Sequence, residues 1–179
     1  MIFEEPRYSH PCMAAKWHKL WPCFQPMIWI DANMEITSPG FARQAHAAVH
    51  DGVALYRHPR RDCIYDEAEA SLGAESQGGK YDGQPIREQV EHYRREGHPE
   101  HAGLWACGTI AWDVQDTKAW RLGAAWLTEC QRWSFQDQLS LPVVARRLGI
   151  KPGIFGHQQI ERRRAGWLEN RWLRIHPHR

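Results

Sequence analysis

PMIWIDANMEI, residues 26–36, is the stretch on which the fold reading turns. Met27 to Ile30 is an apolar run that enters Asp31 directly; Ala32 and Asn33 follow, and the apolar pattern resumes at Met34. A short apolar run of this kind predicts a fully buried strand, as found inside a parallel sheet. Along an extended chain, residues 31 and 33 point to the same side. In open α/β sheets ligands bind at the carboxyl ends of the strands. Asp31 and Asn33 stand at such an end and form a candidate pair for an oxygen-ligated divalent cation. Turn formation is the other reading of the same two residues.

Outward from this strand, helices and strands alternate. Residues 11–21 predict a short helix with Pro11 in its first turn, and Lys16 and Lys19 lie three apart on one of its faces. SPGFARQAHAAVH (38–50) opens as a helix, and GVALYR (52–57) is a second strand. Helices are expected at 62–72, with Asp near its N-terminus, and at 85–96, between Pro85 and Gly97. A glycine-rich loop, 73–83, separates them. ACGTIAW (106–112) is a third strand. A long helix covers 116–133, and another follows over 136–149, interrupted at Pro142 and ended by Gly149. PGIFG (152–156) is a last short strand. The pattern predicts an α/β layered domain with a partly parallel sheet.

Composition bounds the function. At 179 residues, with 42% apolar and 25% charged residues, the chain can bury a core. One domain over 1–179 is expected, with a core at about 6–157 and a basic, Trp-rich tail at 158–179. No apolar run reaches the length of a membrane helix. The N-terminus, MIFEEPRYSH, lacks the features of a signal peptide, so a cytoplasmic chain is expected. A net charge of +2 argues against a dedicated nucleic-acid binder. Five scattered cysteines without a CxxC pair read as reduced thiols. Ten tryptophans fit sugar-stacking clefts and ordinary cores alike.

Two further segments concentrate polar chemistry. HPRRDCIYDEAEA (58–70) combines cationic and acidic side chains suited to phosphate or to internal ion pairs. SFQDQLSLP (134–142) holds Asp137 between glutamines and next to Trp133, as a general base, a hydroxyl-orienting group or a helix cap. No GxSxG, HExxH, P-loop or GxGxxG is present.

AKWHKLWP (15–22), IWIDANMEI (28–36), HPRRDCIYDEAEA (58–70), GKYDGQPIREQVEHYRREG (79–97) and QDQLSL (136–141) occur in one order. Together they resemble the glycosyltransferase-like family of plant Golgi, bacterial and phage proteins, long described as a domain of unknown function and related to nucleotide-sugar transferases of the GT-A fold. The resemblance runs from about residue 6 to residue 148. It implies a GT-A-like, Rossmann-like fold with a mixed, mostly parallel sheet flanked by helices, and sugar transfer from a nucleotide-sugar donor to a glycan or small-molecule acceptor, assisted by Mn²⁺ or Mg²⁺.

Under the resemblance, Asp31 matches the first acid of an Asp-x-Asp metal motif, with Asn33 in the third position. Lys16, His18 and Lys19 match the basic helix near the donor's phosphates. Asp137 and Gln138 match an Asp-Gln pair facing the transferred sugar or acceptor. His58, Arg61, Glu67 and Gln89 match recurring polar positions expected to line the donor cleft. Family members carry a strand–helix–strand unit before the basic helix, whereas this sequence begins at that helix. The expected form therefore lacks the first nucleotide-binding βαβ segment. It exposes a sheet edge that a second copy, a partner chain or the tail would complete. A catalytically silent glycan- or partner-binding module and a metal-dependent hydrolase are the alternatives on the same fold.

Overall fold

The computed structural model describes residues 8–23, 27–73, 79–156 and 172–176. In chain order its elements are α1 (Pro11–Leu20), β1 (Met27–Ile30), β2 (Met34–Ile36), α2 (Phe41–Ala47), β3 (Val53–Arg57), α3 (Ile64–Leu72), α4 (Ile86–Arg95), β4 (Trp105–Trp112), α5 (Thr117–Arg132), α6 (Asp137–Leu148), β5 (Gly153–Ile154) and β6 (Leu173–Ile175). The helix ends obey local chemistry. Pro11 opens α1, and the His10 ring caps it by accepting the Cys12 N–H. Asp116 caps α5 through the Lys118 N–H at 2.8 Å. Gly149 closes α6 in the left-handed conformation, φ 66°. The expected break at Pro142 does not occur: α6 runs through it.

The main sheet has the order β1-β4-β3-β5. Both β1 and β3 run antiparallel to β4, and only the β3–β5 pair is parallel. The partly parallel sheet expected from the residue pattern is found, and the mostly parallel one implied by the resemblance is corrected to a mixed, mostly antiparallel one. An apolar run records burial and not the direction of its partner, and here β1 is an edge strand whose residues are half-buried. The chain after β1 also turns instead of staying extended: the Met34 N–H donates to the Asp31 carbonyl at 2.9 Å. The same-side argument for residues 31 and 33 therefore does not apply. β2 pairs antiparallel with β6, so residues 173–175, assigned to the tail by sequence, form a ribbon strand. The rest of the tail, residues 158–171 and 177–179, lies outside the described residues.

Side-chain alternation assigns the two sheet faces. Val53, Leu55, Ile110 and Trp112 face one cluster, with Leu20, Leu122, Trp126, Leu141 and Val144 from α1, α5 and α6. Ala54, Tyr56 and Ala111 face the other, with Phe41 and Ala45 of α2, Phe155 and Trp172. Met27 and Trp29 pack toward the first, Ile28 and Ile30 toward the second. A third cluster joins α3, α4 and α6 through Ile64, Tyr93, Leu139 and Val143. α6 thus shares its apolar surface between two clusters, and its N-terminus lies where they meet.

Two close approaches fix the frame of the site. Along β4, the register against β3 shifts between Leu55 opposite Ile110 and Tyr56 opposite Ala106, leaving Cys107, Gly108 and Thr109 out of that pairing. Such irregularities re-aim side chains next to functional sites. The Gly108 carbonyl instead accepts the Asp31 N–H at 2.8 Å. On the other side, Gly123 lets α5 approach the end of α1: a Cβ there would lie 2.2 Å from the Leu20 carbonyl oxygen and 2.9 Å from Pro22. Gly123→Ala is expected to push α1 outward and cost about 1–3 kcal/mol, read by urea unfolding. An unchanged midpoint would mean that α1 is not held by this contact.

Candidate functional site

Lys16 and Lys19 project from one face of α1 toward the first turn of α6. There the Lys16 Nζ lies 2.6 Å and the Lys19 Nζ 2.9 Å from the same oxygen, Asp137 Oδ2. Lys19 also reaches Asp31 Oδ1 at 3.4 Å, and the Trp29 indole N–H donates to that oxygen at 2.7 Å. The Lys19 and Asp137 side chains are 5% and 6% exposed, whereas Asp31 is 41% exposed, so the group opens to solvent at Asp31. Two ammoniums and two carboxylates form one line, Lys16–Asp137–Lys19–Asp31.

Protonation states follow from this arrangement. Burial alone would raise the Asp137 carboxyl, but Lys16 and Lys19 outweigh it and hold the group well below the usual carboxylate range. Burial would likewise lower Lys19, but Asp137 and Asp31 outweigh it and keep the ammonium charged. Cys107, beside them, is pushed well above the ordinary thiol range by burial and then by Asp137. A neutral thiol of this kind is no nucleophile. Tyr81 is held far up by burial, with Asp137 and Glu67 adding to it, so its phenol stays protonated.

The tripeptide Gln136–Gln138 distributes three side chains to three places. The Asp137 carboxylate takes the two lysines, and the Gln138 amide donates to the Trp105 carbonyl at 3.2 Å. The Gln136 amide donates to Glu67 Oε1 at 3.2 Å and Ser71 Oγ at 2.9 Å, both on α3. Glu67 in turn accepts from Arg61 Nε at 2.7 Å and lies 3.6 Å from His58 Nε2. The His58 Nδ1 accepts the Arg61 N–H at 3.0 Å, which places the ring proton on Nε2, toward Glu67. The segments around 58–70 and 136–138 therefore form a polar network that the Gln136–Asp137 backbone joins to the α1 lysines.

Three of the residues singled out by sequence lie apart from it. His18 is exposed; its position on α1 differs by one residue from Lys19, about 100° around the axis. Asn33 sits on the β2–β6 side, where its amide donates to the His176 carbonyl at 3.4 Å and its own carbonyl accepts the His176 N–H at 2.7 Å. Gln89 is fully buried, accepting from Ser134 Oγ at 2.5 Å and donating to the Tyr93 hydroxyl at 3.0 Å. Its amide belongs to the core and lines no cleft, which corrects the cleft-lining expectation. Trp29, Tyr81 and Gln136 are site members that the sequence reading did not single out. All three lie within quoted segments: Trp29 in IWIDANMEI, Tyr81 in GKYDGQPIREQVEHYRREG and Gln136 in QDQLSL.

The family model described as TOD1/MUCI70, glycosyltransferase-like domain, matches residues 2–165. The chain belongs to this family. No curated protein and no solved structure matches it. The span of the TOD1/MUCI70 glycosyltransferase-like domain includes α1, α3 and α6, and so every side chain of the polar system above. No helix among the described residues is long and apolar enough to cross a membrane.

The resemblance puts its implied divalent cation on Asp31 and Asn33. The donor chemistry there does not fit a protein-held ion of that kind. Asp31 supplies one carboxylate, Asn33 belongs to the ribbon side, and the Lys19 ammonium stands 3.4 Å from Asp31 Oδ1. Asp137, the nearest second carboxylate, is engaged by two ammoniums. Positive charge at this site comes from lysine.

Proposed function

We propose that this glycosyltransferase-like domain moves a sugar from a nucleotide-sugar donor to a hydroxyl acceptor, with Lys16 and Lys19 facing the donor's diphosphate. The supporting observation is the convergence of both ammoniums on buried Asp137 at the N-terminus of α6, within a chain of this family. Departure of a nucleoside diphosphate develops negative charge, and fixed cations in a partly dry site stabilise it without reorganising. Asp137 is too weak a base to take a proton from an acceptor at neutral pH, because two ammoniums stabilise its charged form. Its part in this reading is to hold the lysines and orient the sugar, together with Gln138. Asp31, open to solvent, faces the acceptor side. Tyr81, His58 and Arg61 supply donors in this reading, and Glu67 holds Arg61. No step of this reading runs through a metal ion.

The charge balance of the line favours a second reading, a catalytically silent sugar- or partner-binding module. Each ammonium already has a carboxylate, so the site carries no surplus charge for a diphosphate. Calorimetric titration of the folded chain with uridine and guanosine diphosphates, with and without chelator, separates the two. Binding that persists in chelator, weakens with salt and falls about tenfold or more in Lys16→Ala supports transfer. A folded sample that binds no nucleotide supports the silent module. Donor breakdown that is as fast without acceptor as transfer with one identifies a hydrolase.

A further inference from the structure

Away from the lysine–aspartate line, one ligand atom each from Cys63, Asp66 and His101 lies within 4.8 Å of the other two. The residues come from two segments. Cys63 is the N-cap residue of α3, yet its side chain makes no capping bond. Asp66 follows three positions later, on the same face of the helix. His101 belongs to the connection between α4 and β4, where it adopts a left-handed backbone, φ 51°. The segments are already tied by the Gly103 N–H to the Asp62 carbonyl and the His58 N–H to the Leu104 carbonyl, each at 2.9 Å. His101 Nδ1 meets Asp62 Oδ1 at 2.7 Å. With the ring proton on Nδ1, the lone pair sits on Nε2, as in histidines that a carboxylate orients toward a metal.

Thiolate, imidazole and carboxylate together suit Zn²⁺; Mg²⁺ and Ca²⁺ prefer oxygen alone. We propose that Cys63, Asp66 and His101 form a Zn²⁺ site that clamps the start of α3 to the α4–β4 connection. Three protein ligands leave a fourth position for water. Binding displaces the Cys63 thiol proton to solvent. The clamp would fix the segment that carries His58 and Arg61, although the proposal does not depend on sugar transfer.

Titration of the metal-free chain with Co²⁺ tests it, since a cobalt–thiolate bond gives a charge-transfer absorption that Zn²⁺ then removes. The band is expected in the parent chain and in a Cys12→Ser, Cys23→Ser double variant, and absent in Cys63→Ser. Cys63 is buried, so the exposed His101→Ala and Asp66→Asn carry the same test without touching the core. Each is expected to weaken Co²⁺ binding by at least about tenfold, and Asp62→Asn by about tenfold. Zn²⁺ should raise the melting temperature of the parent chain and not of His101→Ala. Absence of the band, or a band that survives Cys63→Ser, overturns the site.

Discussion

Asp137→Ala is expected to destabilise the fold by about 3–5 kcal/mol, the usual result of removing one partner from a buried ionic group. Lys19 is the reason. Its side chain is 5% exposed, and without Asp137 its remaining carboxylate is Asp31, farther away and solvent-open. Urea unfolding measures the loss, and a change below about 1 kcal/mol would mean that Lys19 escapes to water. The dependence on pH has a definite sign. The Asp137 carboxyl is depressed in the folded chain, so the unfolded chain protonates first as pH falls below about 3.9. Its contribution is present above that value and fades as pH drops toward the folded value. Lys19 is raised, so its contribution holds below about pH 10.4 and is lost only as pH rises through the folded value. The stability gap between the parent chain and Asp137→Asn should therefore be level near neutrality and shrink from about pH 5 to pH 3. A gap that stays constant across that interval contradicts the ion-pair account.

Lys16→Ala separates chemistry from folding. Lys16 is the more exposed of the two lysines, and Asp137 keeps Lys19 when it is removed. Stability should fall by only about 1 kcal/mol. If Lys16 stabilises a leaving diphosphate, sugar transfer should drop by about 10²-fold, in the range seen when one fixed charge-stabilising donor is deleted. Equal losses in stability and transfer would assign Lys16 to the scaffold.

The helices were legible because their signals are local. Pro11, Asp116 and Gly149 mark ends through their own backbone or side-chain chemistry, and the structure uses all three. The sheet was less legible. MIWI records that its residues are shielded, while the antiparallel partner that shields them, β4, lies about eighty residues away along the chain. Leu173–Ile175 could not be read as a strand, because it is completed only by pairing with Met34–Ile36. Within the site, the helical spacing of Lys16 and Lys19 was visible, and so was Asp137 as an acid among amides. Their convergence on one oxygen was not, since it depends on how closely α1 packs on α5, a distance set by Gly123. Gln89 misled because a buried glutamine and a cleft glutamine are the same letter.

Gln136, Asp137 and Gln138 have a consequence for how this segment can vary. Gln136 is the N-cap of α6, Asp137 and Gln138 open its first turn, and each of the three meets a different neighbour: α3, α1 and β4. A one-residue insertion or deletion that shifted the start of α6 would move the carboxylate off the α1 lysines and put an amide in its place. Buried Ser134, which donates to the Gln89 amide oxygen, sits in the same link. The connection from α5 to α6 is therefore held in spelling as well as in length.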